Sequence, residues 1–316
     1  LDSPAKPPCL LFVSTEDDPV AWREALAEVW PELEFRVWPA AGDPADIDAA
    51  LVWKPPREAL TSCPNVKLVI NLGAGADAVI GDESIPAALP VARLVDPGMT
   101  RMMIAYVAHA VLRYQREFEL VERARRERNW QFVRPTDPAT CRVGVMGLGR
   151  LGGAVASALA ALGLNVAGWS RSGGAIPGVA CHAGEAGLLP FLACTDILVM
   201  LLPLTPQTRG LVGQQALAAL PPGARLINAG RGAVLDENAL IDALETKHLA
   251  GATLDVFDRE PLPPDHRFWT MERVMITPHH ASIANPRTAA ASVADNMRRV
   301  LSGEPIVDQV DRGRGY

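Results

Sequence analysis

Six residues near the middle of the chain, Gly147-Leu148-Gly149-Arg150-Leu151-Gly152, constrain its fold more than any other stretch. The spacing alone is a weak signal in a chain with 26 glycines. Its setting gives it force. Arg142-Val143-Gly144-Val145-Met146 ahead of it has strand character, and residues 151–162 behind it form an alanine-rich helix that stops at Gly163. In a strand, turn and helix of this kind Gly147 permits the tight turn, Gly149 lets the main chain approach a pyrophosphate, and Gly152 lets helix and strand pack closely. The phosphates then sit on the N–H groups of the helix start. A glycine-rich turn that binds nothing is the competing reading.

The next strand, residues 164–169, is expected to end where the adenosine ribose is read. An acidic residue there suits NAD(H), but this tip is Trp169-Ser170-Arg171-Ser172. It offers a guanidinium fork and two hydroxyls, and no carboxylate to repel a 2′-phosphate, so NADP(H) is favoured over NAD(H). An exposed polar turn with an incidental arginine would look the same.

The 316 residues suffice for two domains, and with only 21% of them charged disorder is not expected. A net charge of -6 argues against nucleic acid, and the run Arg123, Arg125, Arg126 and Arg128 alternates with Glu122 and Glu127 as on a solvated helix face. Cys9, Cys63, Cys141, Cys181 and Cys194 are scattered without CxxC spacing, so neither a disulfide framework nor a metal site is expected and a cytoplasmic location fits. No apolar stretch reaches membrane-spanning length and no signal peptide is expected. Residues 1–8 are proline-rich and read as an appended or processed end.

Apolar runs at 10–13, 35–38, 50–53, 67–72 and 91–95 alternate with helical or polar connections, as in a small parallel α/β domain. Residues 100–128 read as one long amphipathic helix with Met103, Val107, Val111, Tyr114, Phe118 and Val121 on one stripe, long enough to reach another subunit. Strands follow at 142–146, 197–202, 224–227, 252–256 and 274–277, with a helix at 237–245 behind the N-cap Asp236. A last helix at 285–301 is expected to return to the first domain. The fold class is α/β: a Rossmann-type doubly wound parallel sheet, residues 99–285, inserted into a smaller flavodoxin-like substrate domain, residues 1–98 plus 286–316.

Three polar residues fall at ends of strands in the second block. Arg231 follows Leu226-Ile227-Asn228-Ala229-Gly230 in a glycine-flanked turn that can present a guanidinium to a carboxylate and the neighbouring carbonyl. Glu260 follows Leu254-Asp255-Val256-Phe257, and His279 ends Val274-Met275-Ile276-Thr277-Pro278. A carboxylate beside an imidazole orients the ring and favours its protonated form, so the pair can give a proton to a carbonyl oxygen as hydride reaches the carbon. Singly, His279 could be a turn or core histidine and Glu260 a solvated loop acid.

The chain resembles the D-isomer-specific 2-hydroxyacid dehydrogenase family, and within it the bacterial glyoxylate/hydroxypyruvate reductase A group. Carrying the resemblance are Leu51-Val52-Trp53-Lys54-Pro55-Pro56, Asn71-Leu72-Gly73-Ala74-Gly75-Ala76-Asp77, the glycine fingerprint with its Trp169 to Ser172 tip, Ala229-Gly230-Arg231-Gly232, Glu260-Pro261-Leu262-Pro263, Thr277-Pro278-His279 and the ending Val310-Asp311-Arg312-Gly313-Arg314-Gly315-Tyr316. The resemblance implies that Arg231 holds and polarises a 2-oxo acid, Glu260 partners the imidazole and His279 is the general acid. It implies further that Asp255 faces the nicotinamide carboxamide, with Leu202, Pro203 and Ala229 along the cofactor trough. Leu72, Gly73, Ala74 and Gly75 would offer N–H groups to the substrate carboxylate. Trp53 would wall the pocket, although a core aromatic would read alike. The helix and its continuation, residues 100–135, would be a homodimer arm with Trp130 reaching toward the partner's active site.

Two positions depart from the group: His280 stands where an apolar residue is usual, and Ala105 replaces a glutamate. The expected reaction is NADPH-dependent reduction of glyoxylate to glycolate and hydroxypyruvate to glycerate, with domain closure excluding water. Glu260 counts against a formate dehydrogenase, whose relatives carry glutamine there. A broader 2-ketoacid reductase and a dinucleotide-sensing corepressor-like binding protein are the alternatives, since fold does not settle function.

Overall fold

The computed structural model divides into two compact units, one of Leu1–Met99 with Ile283–Tyr316 and one of Thr100–Ser282. It describes residues 6–82, 85–313 and 315; the first five residues of the proline-rich start, and Arg314 and Tyr316 of the family-like ending, lie outside the described residues.

The first unit is built on strands β1 (Cys9–Val13), β2 (Glu34–Val37), β3 (Ala49–Val52), β4 (Leu68–Asn71) and β5 (Val91–Arg93). They are all parallel, in the order β2-β1-β3-β4-β5. β1, β3 and β4 are buried along their whole length, which is why they read as unbroken apolar runs: helices cover both faces of the sheet. Leu10, Phe12 and Leu51 pack on one face with Trp22 and Leu26 of the helix Pro19–Val29 and Val293 and Met297 of the helix Pro286–Leu301. Leu11, Val52 and Val69 point to the other face, toward Leu60 and Val79. Asp96, 4% exposed, accepts from the N–H of Gly98 at 2.6 Å, the N–H of Asn285 at 2.8 Å and the Thr288 hydroxyl.

The second unit carries β6 (Arg142–Met146), β7 (Asn165–Ser170), β8 (Val179–Ala183), β9 (Ile197–Met200), β10 (Ala224–Asn228), β11 (Leu249–Leu254) and β12 (Val274–Ile276). All seven are parallel, in the order β12-β11-β10-β9-β6-β7-β8. The order reverses between β6 and β9, and ligands of such sheets bind beyond the carboxyl ends of the strands at that switch point. Asp236 caps the helix Glu237–Glu245, its carboxylate accepting from the N–H groups of Asn238 and Ala239.

The single helix expected over residues 100–128 is two, Pro97–Gln115 and Phe118–Arg126, because Glu117 takes a left-handed φ of 55°. The break lets Glu117 and Glu119 turn back to Arg225 at 2.6 and 3.3 Å, while Arg113 lies 3.2 Å from Glu119. It also splits the apolar stripe. Met103, Val107, Val111 and Tyr114 are buried in the second unit's core, whereas Phe118 and Val121 are exposed. Arg123, Arg125, Arg126 and Arg128 are exposed as expected. β8 and the helix Gly184–Ala193 were not foreseen: β8 is an edge strand whose residues are half-buried or exposed, and Pro190 lies inside the helix. Among the described residues no helix is long and apolar enough to cross a membrane.

Candidate active site

Strand ends β6, β9 and β10 meet through glycines. Gly147, at φ 97°, leaves β6 so close to β9 that a Cβ on it would lie 2.7 Å from the Leu201 carbonyl oxygen. From the other side Gly230 lies against the same segment, its Cβ position 3.0 Å from the Leu202 carbonyl oxygen. A Cβ on Gly152 would fall on the Gly147 carbonyl, so the helix Arg150–Ala161 starts directly against the turn. Gly149 differs. Its φ of −70° suits any residue and a Cβ there would meet nothing within 4 Å among the described residues, whose packing therefore does not demand a glycine. It is the helix N-cap and, as a glycine, makes no side-chain cap hydrogen bond there. An open main chain at an uncapped helix start fits the approach of a pyrophosphate.

The tip of β7 lies beside this turn, the Gly147 N–H donating to the Trp169 carbonyl at 2.8 Å. Arg171 and Ser172 are exposed there, and the Ser170 hydroxyl donates to the Gly173 carbonyl at 3.0 Å. Trp169 behaves differently from its neighbours. It is 6% exposed, packs in the core and donates its indole N–H to the Gly184 carbonyl at 2.9 Å, so only its main chain faces the tip. Leu202 and Ala229 are likewise buried, and the half-buried Pro203 offers its carbonyl to the Thr208 hydroxyl at 2.7 Å.

Arg231, Glu260 and His279 stand in loops following β10, β11 and β12. Asn228, fully buried at the end of β10, braces the Arg231 turn by accepting from the Gly230 N–H and donating to the Arg231 carbonyl, both at 3.2 Å. Arg231 Nη1 donates to the Gly230 carbonyl at 2.9 Å. Gly232 must be small because a Cβ there would fall on the main chain of Phe257. The His279 Nδ1 lies 2.7 Å from Glu260 Oε2, and Glu260 Oε1 accepts from the Phe257 N–H at 3.1 Å. One carboxylate thus fixes both the imidazole and the loop that bears it. His279 holds a φ of 53°, an uncommon conformation for a side-chain-bearing residue.

Asp255 lies 1% exposed at the end of β11. Its oxygens accept from the Thr277 hydroxyl at 2.6 Å and from the N–H groups of His280 and Ala281, each at 2.9 Å. Its carboxylate therefore holds the turn that carries His279. A second carboxylate–imidazole pair braces the loop that carries Glu260: Glu237 accepts from the Asp258 N–H at 2.9 Å and lies 3.3 Å from His266 Nε2. Asn228, Thr277, Glu237 and His266 escaped the sequence reading as site residues. Asn228 and Thr277 show only as polar residues at or beside strand ends, and Glu237 and His266 show no such sign, since one opens a helix and the other caps a short turn.

In the first unit, Trp53 follows β3 and lays its ring on the main chain of Gly73, where a Cβ would collide with it. It is half-buried, and its indole donates to Glu16 Oε2 at 2.9 Å. Asn71, at the end of β4, donates to the carbonyls of Gly73 and Gly75 at 3.0 and 2.7 Å. That draws both carbonyls to one side and, across the trans peptides, turns the N–H groups of Ala74 and Ala76 the other way. Leu72 is buried; Gly73, Ala74 and Gly75 are half-buried. Among the described residues no group of three or more His, Cys, Asp or Glu side chains is placed to hold a metal ion.

Residues 108–281 match the family model of the D-isomer specific 2-hydroxyacid dehydrogenase NAD binding domain. The chain belongs to that family. It is 42% identical over 300 residues to the glyoxylate/hydroxypyruvate reductase A of Serratia proteamaculans, covering 93% of this chain and 96% of the relative. A family member from Xanthobacter autotrophicus, solved in complex with NADPH and MES, superposes with a TM-score of 0.95 at 49% identity, covering 98% of this chain and 99% of that one. An NADPH-dependent glyoxylate/hydroxypyruvate reductase from Sinorhizobium meliloti, in complex with NADP and sulfate, gives a TM-score of 0.91 at 36% identity, covering 98% of this chain and all of that one. As a 2-hydroxyacid dehydrogenase, the chain is an oxidoreductase that binds a nicotinamide dinucleotide.

Proposed function

We propose that this dehydrogenase reduces glyoxylate to glycolate and hydroxypyruvate to glycerate with NADPH. The observation that carries the reading is the Glu260–His279 pair at 2.7 Å, in a chain whose relatives bear the names of reductases of these acids. The Arg231 guanidinium binds the substrate carboxylate and polarises the adjacent carbonyl. In the first unit, substrate contact is proposed for the N–H groups of Gly73, Ala74 and Gly75 and for the Trp53 ring. When bound, NADPH supplies the hydride that reduces C2. His279 gives its Nε2 proton to the oxygen that becomes the hydroxyl, while Glu260 keeps the ring aligned through Nδ1. The unit Thr100–Ser282 holds the cofactor along Gly147, Gly149, Arg150, Leu151 and Gly152.

Loss of reduced-nicotinamide absorbance, followed with NADPH and NADH in parallel against glyoxylate, hydroxypyruvate, pyruvate and a longer 2-oxo acid, tests this. Fast turnover of the two smallest polar acids with NADPH is expected. Cofactor binding without turnover of any acid would overturn the reading.

Arg171, with Ser170 and Ser172, takes the 2′-phosphate and sets the preference for NADP(H), a reading supported by NADPH and NADP in the two structural relatives. Arg171→Ala is expected to weaken NADPH by roughly 10–100-fold, the range of a lost charge-assisted hydrogen bond, with little change for NADH. Equal loss for both cofactors would refute the assignment.

Residues 100–135 serve as a homodimer arm, with the segment after the helix break as its exposed part. Trp130 is 100% exposed and Phe132 78%, and Phe118 and Val121 earlier in the same stretch of chain are exposed too, large apolar side chains that suit burial by a second copy. Sedimentation should return a dimer mass, and Trp130→Ala combined with Phe132→Ala should shift it toward the monomer; a wild-type monomer at micromolar concentration would exclude the arm. The five free cysteines accord with a reducing cytoplasm.

A further inference from the structure

The turn that carries His279 is tied to an aromatic residue far away in sequence. Thr277 Oγ1 lies 2.6 Å from Asp255 Oδ1 on one side and 2.6 Å from the Tyr106 hydroxyl on the other. The direction of this chain of hydrogen bonds follows from its end. A carboxylate that accepts two backbone N–H groups also accepts the third contact, so Thr277 donates its one proton to Asp255 and must receive the proton of Tyr106. Burial pushes the Tyr106 phenol up to about 12, so it keeps the proton it donates. The ring of Tyr106 meets the same turn a second time, standing edge-on to His280 with centroids 6.2 Å apart and planes at 82°. Tyr106 therefore touches residues 277 and 280, on both sides of His279. Its own place is fixed by the helix Pro97–Gln115, whose neighbours Met103, Val107 and Ala110 are buried in the core.

His279 needs such support. At φ 53° its backbone is held in a conformation that persists only where the surroundings over-determine it. Further ties are the carbonyls of Asp255 and Thr277, which accept the His279 N–H at 2.8 and 3.1 Å, the Asp255 carboxylate, and Glu260 on the ring.

We propose that Tyr106 is a positioning residue for the proton donor: its hydroxyl, through Thr277 and Asp255, and its ring, against His280, keep the 277–280 turn in the one arrangement that aims the His279 imidazole. The inference rests on His279 being the acid, as proposed above. It gives the exposed His280 a use as the edge partner of Tyr106.

The test is kinetic and spectroscopic, on the full chain, with Tyr106→Phe, Thr277→Val, Thr277→Ser and the double variant Tyr106→Phe/Thr277→Val. Tyr106→Phe is expected to lower kcat about tenfold, because small misplacements of a reacting group are costly, with Tm and NADPH affinity near wild type. Thr277→Ser, which keeps the hydroxyl, should retain most of the rate that Thr277→Val loses. The double variant should be no slower than Thr277→Val alone, since both act along one chain. The imidazole NMR signals of His279, assigned by their loss in His279→Asn, should shift and broaden in Tyr106→Phe, a readout that does not depend on turnover. Wild-type kcat with unmoved His279 signals in Tyr106→Phe would overturn the proposal, as would losses that multiply in the double variant. A fall in Tm and cofactor affinity matching the fall in kcat would also overturn it, by reducing Tyr106 to a packing residue. Wild-type protein inactive on every 2-oxo acid would instead overturn the proposed reaction, and the NMR comparison would still decide the role of Tyr106.

Discussion

Replacing His279 by asparagine is expected to lower kcat by about 10²–10⁴-fold, the range of general acid catalysis, while NADPH binds within a few-fold of wild type. Asparagine is the substitution to use because the backbone there sits at φ 53°, a region it tolerates better than alanine does. The change therefore removes the imidazole without adding strain to the turn. The main-chain tie from its N–H to the Asp255 carbonyl at 2.8 Å can persist, so residue 279 itself stays anchored. Glu260 keeps its hold on the Phe257 N–H and the loop it braces. On the proposed mechanism, what disappears is the Nε2 proton, and with it the means of neutralising an alkoxide as hydride arrives. The measurement is single-turnover oxidation of bound NADPH by glyoxylate beside a fluorescence titration of the cofactor. A rate within tenfold of wild type would take the acid role away from His279.

The parts of this molecule that sequence could convey are those fixed by neighbours in the chain. The glycine turn is one: Gly147 takes a positive φ and a Cβ on Gly152 would strike its carbonyl five residues back, so the spacing carries that requirement openly, although the Leu201 main chain that also confines Gly147 is remote in sequence. The buried parallel strands are another, since β1, β3 and β9 are apolar at every position, as burial on both faces demands. What did not show is whatever depends on residues brought together by folding. The stripe from Met103 to Tyr114 reads as helix and is helix, but nothing before Glu117 signals the break, because Arg225 on β10 supplies the partner that rewards it. β8 lies at a sheet edge and lacks the apolar alternation that marks a strand. In the candidate site the same division holds. Polar residues after apolar strands stand out in sequence. The Asn228 brace, the Glu237–His266 pair and the Tyr106–Thr277–Asp255 chain join residues from separate elements, and only coordinates bring them together.

The second large effect is expected at a residue that touches no substrate. Gly152→Ala would place a methyl group on the Gly147 carbonyl oxygen, and backbone on both sides leaves no flexible side chain to give way. The helix Arg150–Ala161 must then move away from β6, or the Gly147 turn must open toward the Leu201 main chain that already confines it. Either movement carries the uncapped helix start away from the strand end. Overpacking of this kind costs about 1–3 kcal/mol in ordinary cores, and an overlap with main chain stands at or above the upper end. NADPH affinity should fall by at least about a hundredfold, because the phosphate-binding N–H groups move with the helix. The adjacent glycine is the control. A Cβ on Gly153 would meet only the Ile176 side chain at 3.6 Å and the Leu148 carbonyl at 3.7 Å, ordinary contacts, so Gly153→Ala should fold and bind normally. It should even gain up to about 1 kcal/mol from the better helix propensity of alanine. Urea unfolding and NADPH titration of the two variants side by side separate crowding of the turn from a general effect of alanine in that helix. If both bind NADPH as tightly as the wild type, close packing of the helix against the glycine turn is not what forms the cofactor site.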